Sequence, residues 1–114
     1  MLIEAGTIVL IIYPFTDLSS TKLRPGLVLQ NINNDVIVVF ISSVIHADIN
    51  PQDFVLSEHS SYFKESGLKK GSIIKCGKIM TLSKSLILGE IGKLNNKVLE
   101  EEIKPRLKLA LGLI

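Results

Sequence analysis

The stretch from Leu27 to Ile41 leaves this chain little choice of topology. Leu27-Val28-Leu29-Gln30 and Val36-Ile37-Val38-Val39-Phe40-Ile41 are apolar runs rich in β-branched residues and too short for helices, and only Asn31-Ile32-Asn33-Asn34-Asp35 lies between them. A connection this short and this rich in Asn and Asp suits a hairpin turn, whereas parallel neighbours need a crossover of about a dozen residues or more. The two runs therefore read as antiparallel strands.

The same pattern extends in both directions. Gly6 opens Thr7-Ile8-Val9-Leu10-Ile11-Ile12-Tyr13, which Pro14 closes, so this run reads as a strand near the sheet centre. After Ser43 the pattern loosens, then Asp53-Phe54-Val55-Leu56 reads as a short strand and Ser72 to Leu82 as a long one, with Gly77 at a point suited to a bulge or a close backbone approach. Leu88 to Leu94 reads as the last strand. From Asn95, a suitable N-cap, Val98, Leu99, Ile103, Leu107, Ala110 and Leu111 follow helical spacing as far as Gly112, with a kink or restart expected at Pro105. The expected class is mainly β (α+β), a small, strongly bent antiparallel sheet or barrel with a C-terminal helix.

With 114 residues, 46% hydrophobic and without a Gly/Pro- or Ser-rich linker, the chain is expected to form one domain over 1–114. Its early apolar run, Thr7 to Phe15, falls far short of the roughly 20 residues that cross a bilayer, so no membrane association is expected. Glu4 and the lack of a basic stretch before that run argue against a secretory signal. The single cysteine, Cys76, excludes an internal disulfide and fits a reducing cytoplasm. So much apolar surface in so short a chain also predicts a homodimer.

Net charge is only +2, but the lysines at 64, 69, 70, 75, 78 and 84 face Glu65 as the sole acid between Tyr62 and Lys84, while Glu100-Glu101-Glu102 gathers the opposite charge. Such a basic stretch reads as a solvated face or as a polyanion footprint. The Arg24-Pro25 step sharpens the second reading. Pro25 fixes its own φ and pushes Arg24 towards extended geometry, which holds a guanidinium at a strand mouth. If the two strands are neighbours, Ser42-Ser43 could lie beside it, and an arginine fork next to a hydroxyl suits phosphoryl chemistry. The competing reading is a surface arginine paired with Asp17. His46 and His59 lack an evident partner and are left out of the site. No His/Cys/Asp/Glu spacing suits a metal and no phosphate-cradling glycine motif occurs, so neither metal nor cofactor is expected.

These residues carry a resemblance. Gly6 to Leu18, followed by Arg24-Pro25-Gly26-Leu27-Val28-Leu29, resembles the opening of the MazF/PemK toxins of bacterial type II toxin–antitoxin systems. Ile41-Ser42-Ser43 resembles their Thr-Ser step; Gly67-Leu68 with Ser72-Ile73-Ile74, Lys78 to Leu82, Ile91 to Leu94 and the Leu111-Gly112-Leu113 ending follow the remaining blocks in order. The resemblance implies an SH3-like β-barrel, a cytoplasmic homodimer, a cognate antitoxin, and a metal-independent endoribonuclease (mRNA interferase) that cuts single-stranded RNA to leave 2′,3′-cyclic phosphate and 5′-hydroxyl ends. Arg24 matches the family's functional arginine, and Ser42 stands where its threonine usually does, keeping the hydroxyl but losing the methyl group that restricts the rotamer. These two are the expected catalytic residues, with Ser43 as the neighbouring hydroxyl. Thr16, Asp17, Lys22, Ser43, Lys75 and Lys78 are the expected RNA-binding residues, Asp17 being equally suited to stabilising a turn. Many family members carry an acidic, Gln-containing segment before the Arg-Pro step where this chain has Ser19-Ser20-Thr21-Lys22-Leu23, so the loop over the RNA, and with it sequence preference, is expected to differ.

Two other classes share the fold expectation: a CcdB-like toxin that binds DNA gyrase without catalysis, and a degenerate, inactive RNA-binding module. The Arg24–Ser42 pair favours the ribonuclease, since a protein that only docks on gyrase has no use for a phosphate fork beside a hydroxyl.

Overall fold

The computed structural model describes residues 3–13, 22–43 and 48–113. Six strands form one antiparallel sheet: β1 (Thr7–Tyr13), β2 (Lys22–Ile32), β3 (Asp35–Ser42), β4 (Asp53–Leu56), β5 (Ser72–Ser83) and β6 (Ile87–Lys93), in the spatial order β4-β5-β3-β2-β1-β6. The sheet is bent, as expected, but not closed, because β4 and β6 are its two edges. β4 spans only 4 residues and, among the described residues, pairs with β5 alone. At the other edge, the 3₁₀ turn Lys64–Ser66 lies against β6 so closely that a Cβ on Gly67 would stand 1.8 Å from the Ile91 carbonyl oxygen, and one on Gly92 2.3 Å from the Ser66 backbone. Two glycines thus let the backbone of this turn lie directly on the backbone of β6.

The hairpin expected between β2 and β3 turns at Asn33-Asn34, with Asn33 at φ 50°, a left-handed conformation that Asn tolerates better than most residues. β2 begins earlier than its apolar run predicts, at Lys22, and runs through Pro25. The β2–β3 ladder starts only at Gly26–Phe40, so Pro25 lies where β2 has a partner on the β1 side alone, a position that tolerates a missing N–H.

Alternation along the strands divides the core between the two faces. Ile8, Leu27, Val39, Ile41, Ile74 and Cys76 pack with Val98, Leu99 and Ile103 of the C-terminal helical segment. Val9, Ile11, Val28, Val36 and Val38 point to the other face, where the bend brings Leu82 and Ile87 onto them. Each such fully buried aliphatic side chain contributes about 2 kcal/mol. The helical segment starts as predicted, with Asn95 Oδ1 accepting from the Lys97 N–H at 2.8 Å. It runs through α1 (Asn96–Val98), a π-helical turn (Leu99–Ile103) and α2 (Lys104–Leu111), so the restart expected at Pro105 takes the form of a widened turn just before a residue that cannot donate backward. Gly112 ends it at φ 68°, its N–H and that of Leu113 donating to the Leu109 and Lys108 carbonyls. Arg106 ties the segment to β4, donating from Nε to the Asp53 carbonyl at 3.0 Å while its guanidinium lies over the Phe54 ring.

Leu107 is half-buried, but Ala110 and Leu111 of the predicted apolar stripe are exposed, as are Leu109 and Leu113. No described helix is long and apolar enough to cross a membrane.

Candidate functional site

Three strand segments converge where β2 enters the sheet. β1 pairs with β2 so that Ile11 faces Arg24 and Tyr13 faces Lys22; the β2–β3 ladder ends at Gly26–Phe40, with Arg24 two residues before it on β2 and Ser42 two residues after it on β3. Directly opposed residues share a face of the sheet. β5 supplies the third side through the bulge that Gly77 foreshadowed. Val39 pairs with Ile79 but Phe40 pairs with Lys75, so Cys76, Gly77 and Lys78 are looped out of the ladder.

The result is one cavity of about 400 Å³ lined by Arg24, Ser42, Ser43, Lys75 and Lys78, with Tyr13, Pro25, Phe40 and Ile41. Arg24, Ser43 and Lys78 are exposed, Ser42 and Lys75 half-buried. No carboxylate stands among these lining residues. The aromatic part is built: the Tyr13 and Phe40 rings lie 4.9 Å apart at 41°. Burial pushes the Tyr13 phenol up to about 12, against the opposing pull of the Arg24 charge, so at neutral pH it is a protonated donor. Cations in an open cleft, hydroxyls beside them and a ring pair on one wall can hold a phosphodiester, stabilise negative charge growing on it, and stack an attached base.

A second cavity of similar size, about 410 Å³, has the opposite character: Glu4, Glu65 and Glu90 line it with Lys93, Thr7 and Gly92. No group of three or more His, Cys, Asp or Glu among the described residues could hold a metal ion.

The family profile described as PemK-like, MazF-like toxin of type II toxin–antitoxin system matches residues 4–111. The chain belongs to that toxin family. Among solved structures, this PemK/MazF-like toxin is similar to a MazE–MazF complex from Deinococcus radiodurans, with a TM-score of 0.77 and 19% identity over 100% of this chain and 99% of that one. It is also similar to the Mycobacterium tuberculosis toxin MazF-mt6, with a TM-score of 0.71 and 17% identity over 93% and 96% of the two chains. An endoribonuclease in complex with its cognate antitoxin, from a mycobacterial species, aligns with a TM-score of 0.69 and 20% identity over 96% and 94%. At such identities the shared property is the fold. Among curated proteins none matches by sequence.

In this toxin the cavity gathers Arg24, Ser42, Ser43, Lys75 and Lys78 of the residues that the sequence singled out. Lys22 is not among them: it is exposed at the start of β2, across the ladder from Tyr13 and outside the lining. Thr16, Asp17 and His46 fall outside the described residues. His59 lies in a turn, its N–H donating to Ser57 Oγ at 3.1 Å, and does not line the cavity. Sequence reasoning passed over Tyr13 and Phe40, which it counted only as strand residues. With just two tyrosines and four phenylalanines in the chain, an aromatic near the end of each of two strands that flank a basic step was the available signal.

Proposed function

We propose that this toxin is a cytoplasmic endoribonuclease that cuts single-stranded RNA in the Arg24 cavity. The observation that carries the reading is the convergence of Arg24, Lys75 and Lys78 with two serine hydroxyls in one cleft, with no carboxylate among the described residues that line it. A cleft of this charge attracts and orients a polyanion. In the reaction the 2′-hydroxyl attacks the adjacent phosphorus, the bond to the 5′-oxygen breaks, and the proton lost from the nucleophile is balanced by one delivered to the leaving oxygen. The ends are a 2′,3′-cyclic phosphate and a 5′-hydroxyl.

Arg24 would offer its planar fork to the equatorial oxygens, where charge is greatest in the pentacoordinate state. Ser42 would hold the same phosphate by its hydroxyl, with Ser43 as the neighbouring donor. Lys75 and Lys78 would neutralise flanking phosphates, so charge stabilisation needs no metal ion. Thr16, Asp17 and Lys22 would bind flanking parts of the RNA. Tyr13 and Phe40 would stack an unpaired base.

The same reading names the partners. The structural neighbours include toxins solved with antitoxins, and an acidic antitoxin segment would compete with RNA for Arg24, Lys75 and Lys78. A homodimer would cover the apolar residues left exposed at the end of α2, and sedimentation should give twice 12.5 kDa.

Incubating purified protein with single-stranded RNA in the presence of a chelator, and identifying the product ends by mass spectrometry, tests the proposal. Cleavage with cyclic-phosphate ends supports it. Intact RNA together with gyrase binding would move the assignment to the non-catalytic alternative.

A further inference from the structure

Beside the Arg24 cavity, and sharing Pro25 and Ser43 with it, lies a second pocket of about 480 Å³. Its walls are Leu10, Leu68 and Ile91, with Gly67 and Ser72, and Lys69 and Lys70 are exposed at its rim. Among the described residues no carboxylate lines it, in contrast to the Glu4–Glu65–Glu90 cavity. Apolar walls rimmed by cations match a nucleotide, which presents a flat, weakly hydrated base attached to an anionic linkage.

The pocket is held in shape by the chain around it. Ser72 Oγ donates to the Lys70 carbonyl at 2.8 Å, the Leu68 N–H donates to Ser66 Oγ at 3.2 Å, and the buried Ser66 is anchored to the preceding turn. Gly67, at φ 73°, is pressed on the Ile91 carbonyl with no space for a side chain. This wall therefore needs no reordering to receive a ligand.

We propose that this pocket binds the nucleobase next to the cleaved linkage, with Lys69 and Lys70 on the phosphate beyond it. The proposal rests on the endoribonuclease reading and deepens it: an RNA strand held at Arg24 crosses the ridge formed by Pro25 and Ser43 and places its next base between Leu10, Leu68 and Ile91. Because one pocket accepts one base, it contributes to which RNA sequence is cut. The single-stranded requirement follows too, since a base enters only when it is splayed from its neighbours.

The test scans an abasic site along a short RNA that the toxin cleaves, made uncleavable by a 2′-deoxy group at the cleaved nucleotide, and measures binding by fluorescence anisotropy. With the unaltered protein, loss of the one base adjoining the cleaved linkage should weaken binding about tenfold. In Leu68→Trp, which fills the pocket, the intact RNA should bind as weakly as the abasic one, and the abasic penalty should vanish. Lys69→Ser with Lys70→Ser should weaken all RNAs alike and flatten the salt dependence. Should Leu68→Trp fail to fold, the abasic scan and the lysine pair decide. If RNA is still bound and cut in an Arg24-dependent way but no adjoining abasic position matters, the pocket assignment is overturned and the nuclease stands. Leu68→Trp that alters sedimentation or antitoxin affinity while leaving RNA affinity intact overturns it in favour of a protein occupant. If no RNA is cut at all, the parent reading falls and this proposal with it.

Discussion

The Arg24 cavity and the Glu4–Glu65–Glu90 cavity are nearly equal in size, about 400 and 410 Å³, and both are open clefts on the same sheet. They differ in what lines them. Among the described lining residues, one joins three cations, two serine hydroxyls and an aromatic pair, while the other joins three carboxylates, one lysine and no ring. Volume alone does not distinguish them; the sign of the field and the donor chemistry do. A polyanion at the first would meet attraction and ready hydrogen-bond donors, whereas at the second it would meet its own charge.

The sharpest way to break this contrast is to remove its central group. Arg24→Ala should lower RNA cleavage by about a thousandfold, because a preorganised donor aimed at developing charge has no substitute from water. Arg24→Lys should recover only part, lacking the planar fork. Glu90→Ala, in the acidic cavity, should leave cleavage at the parent rate. Initial rates, with circular dichroism to show an unchanged fold, check all three. Parent-rate cleavage by Arg24→Ala would make that residue structural.

Reversing charge in each cavity compares them directly. Lys75→Glu with Lys78→Glu should weaken both RNA and antitoxin binding and lower the steepness of the log affinity against log salt plot by roughly 1.4, about 0.7 for each lost phosphate contact on a single strand. Glu65→Lys with Glu90→Lys should change neither. Equal responses from the two pairs would mean that only net charge matters, and the cavity would lose its standing as a site.

Smaller still is the effect expected at the ring pair. Tyr13→Ala should weaken RNA binding by about tenfold through lost stacking, while Tyr13→Phe should keep most of it. Burial raises the phenol from 10.0 to about 12, so the folded protein holds this proton more tightly than the unfolded chain. The associated stability is fully present below pH 10 and is lost as pH rises from there towards about 12. Tyr13→Phe should therefore flatten the fall in stability across that alkaline window, as denaturant midpoints at several pH values would show.

How much of this was legible in the sequence follows from how local each signal is. β1 begins and ends where Gly6 and Pro14 said it would, and the Asn33-Asn34 turn, the Asn95 cap and the Gly112 stop all depend on residues close in the chain. Pairing register is not local. That β2 extends back to Lys22 depends on β1 being beside it, and the cavity exists because Phe40 pairs with Lys75 across a bulge. Arg24, Ser42 and the two lysines could be named in advance by residue type and resemblance, but Tyr13 and Phe40 became visible only when register brought their rings together. Lys22 shows the converse: a plausible cation by sequence, it sits across the ladder from Tyr13 yet outside the cavity.

The smallest expected effect separates a hydroxyl from its positioning. Ser42 ends β3, half-buried and paired with Ile73, on the face that Phe40 and Lys75 share. A neutral hydrogen bond contributes about 1 kcal/mol, so Ser42→Ala should slow cleavage by roughly fivefold or more if the bond tightens in the transition state. Ser42→Thr keeps the oxygen and adds a methyl group that narrows χ1, a change well suited to a strand. With fewer rotamers to lose, the hydroxyl should be better held, and cleavage should rise by about twofold with little change in RNA affinity. Single-turnover rates beside binding constants for the three residues at position 42 would show it. A threonine variant slower than the parent would mean that the wall formed by Ile41 and Ser43 has no room for the methyl group, and that the serine is matched to a narrower cleft than its chemistry alone requires.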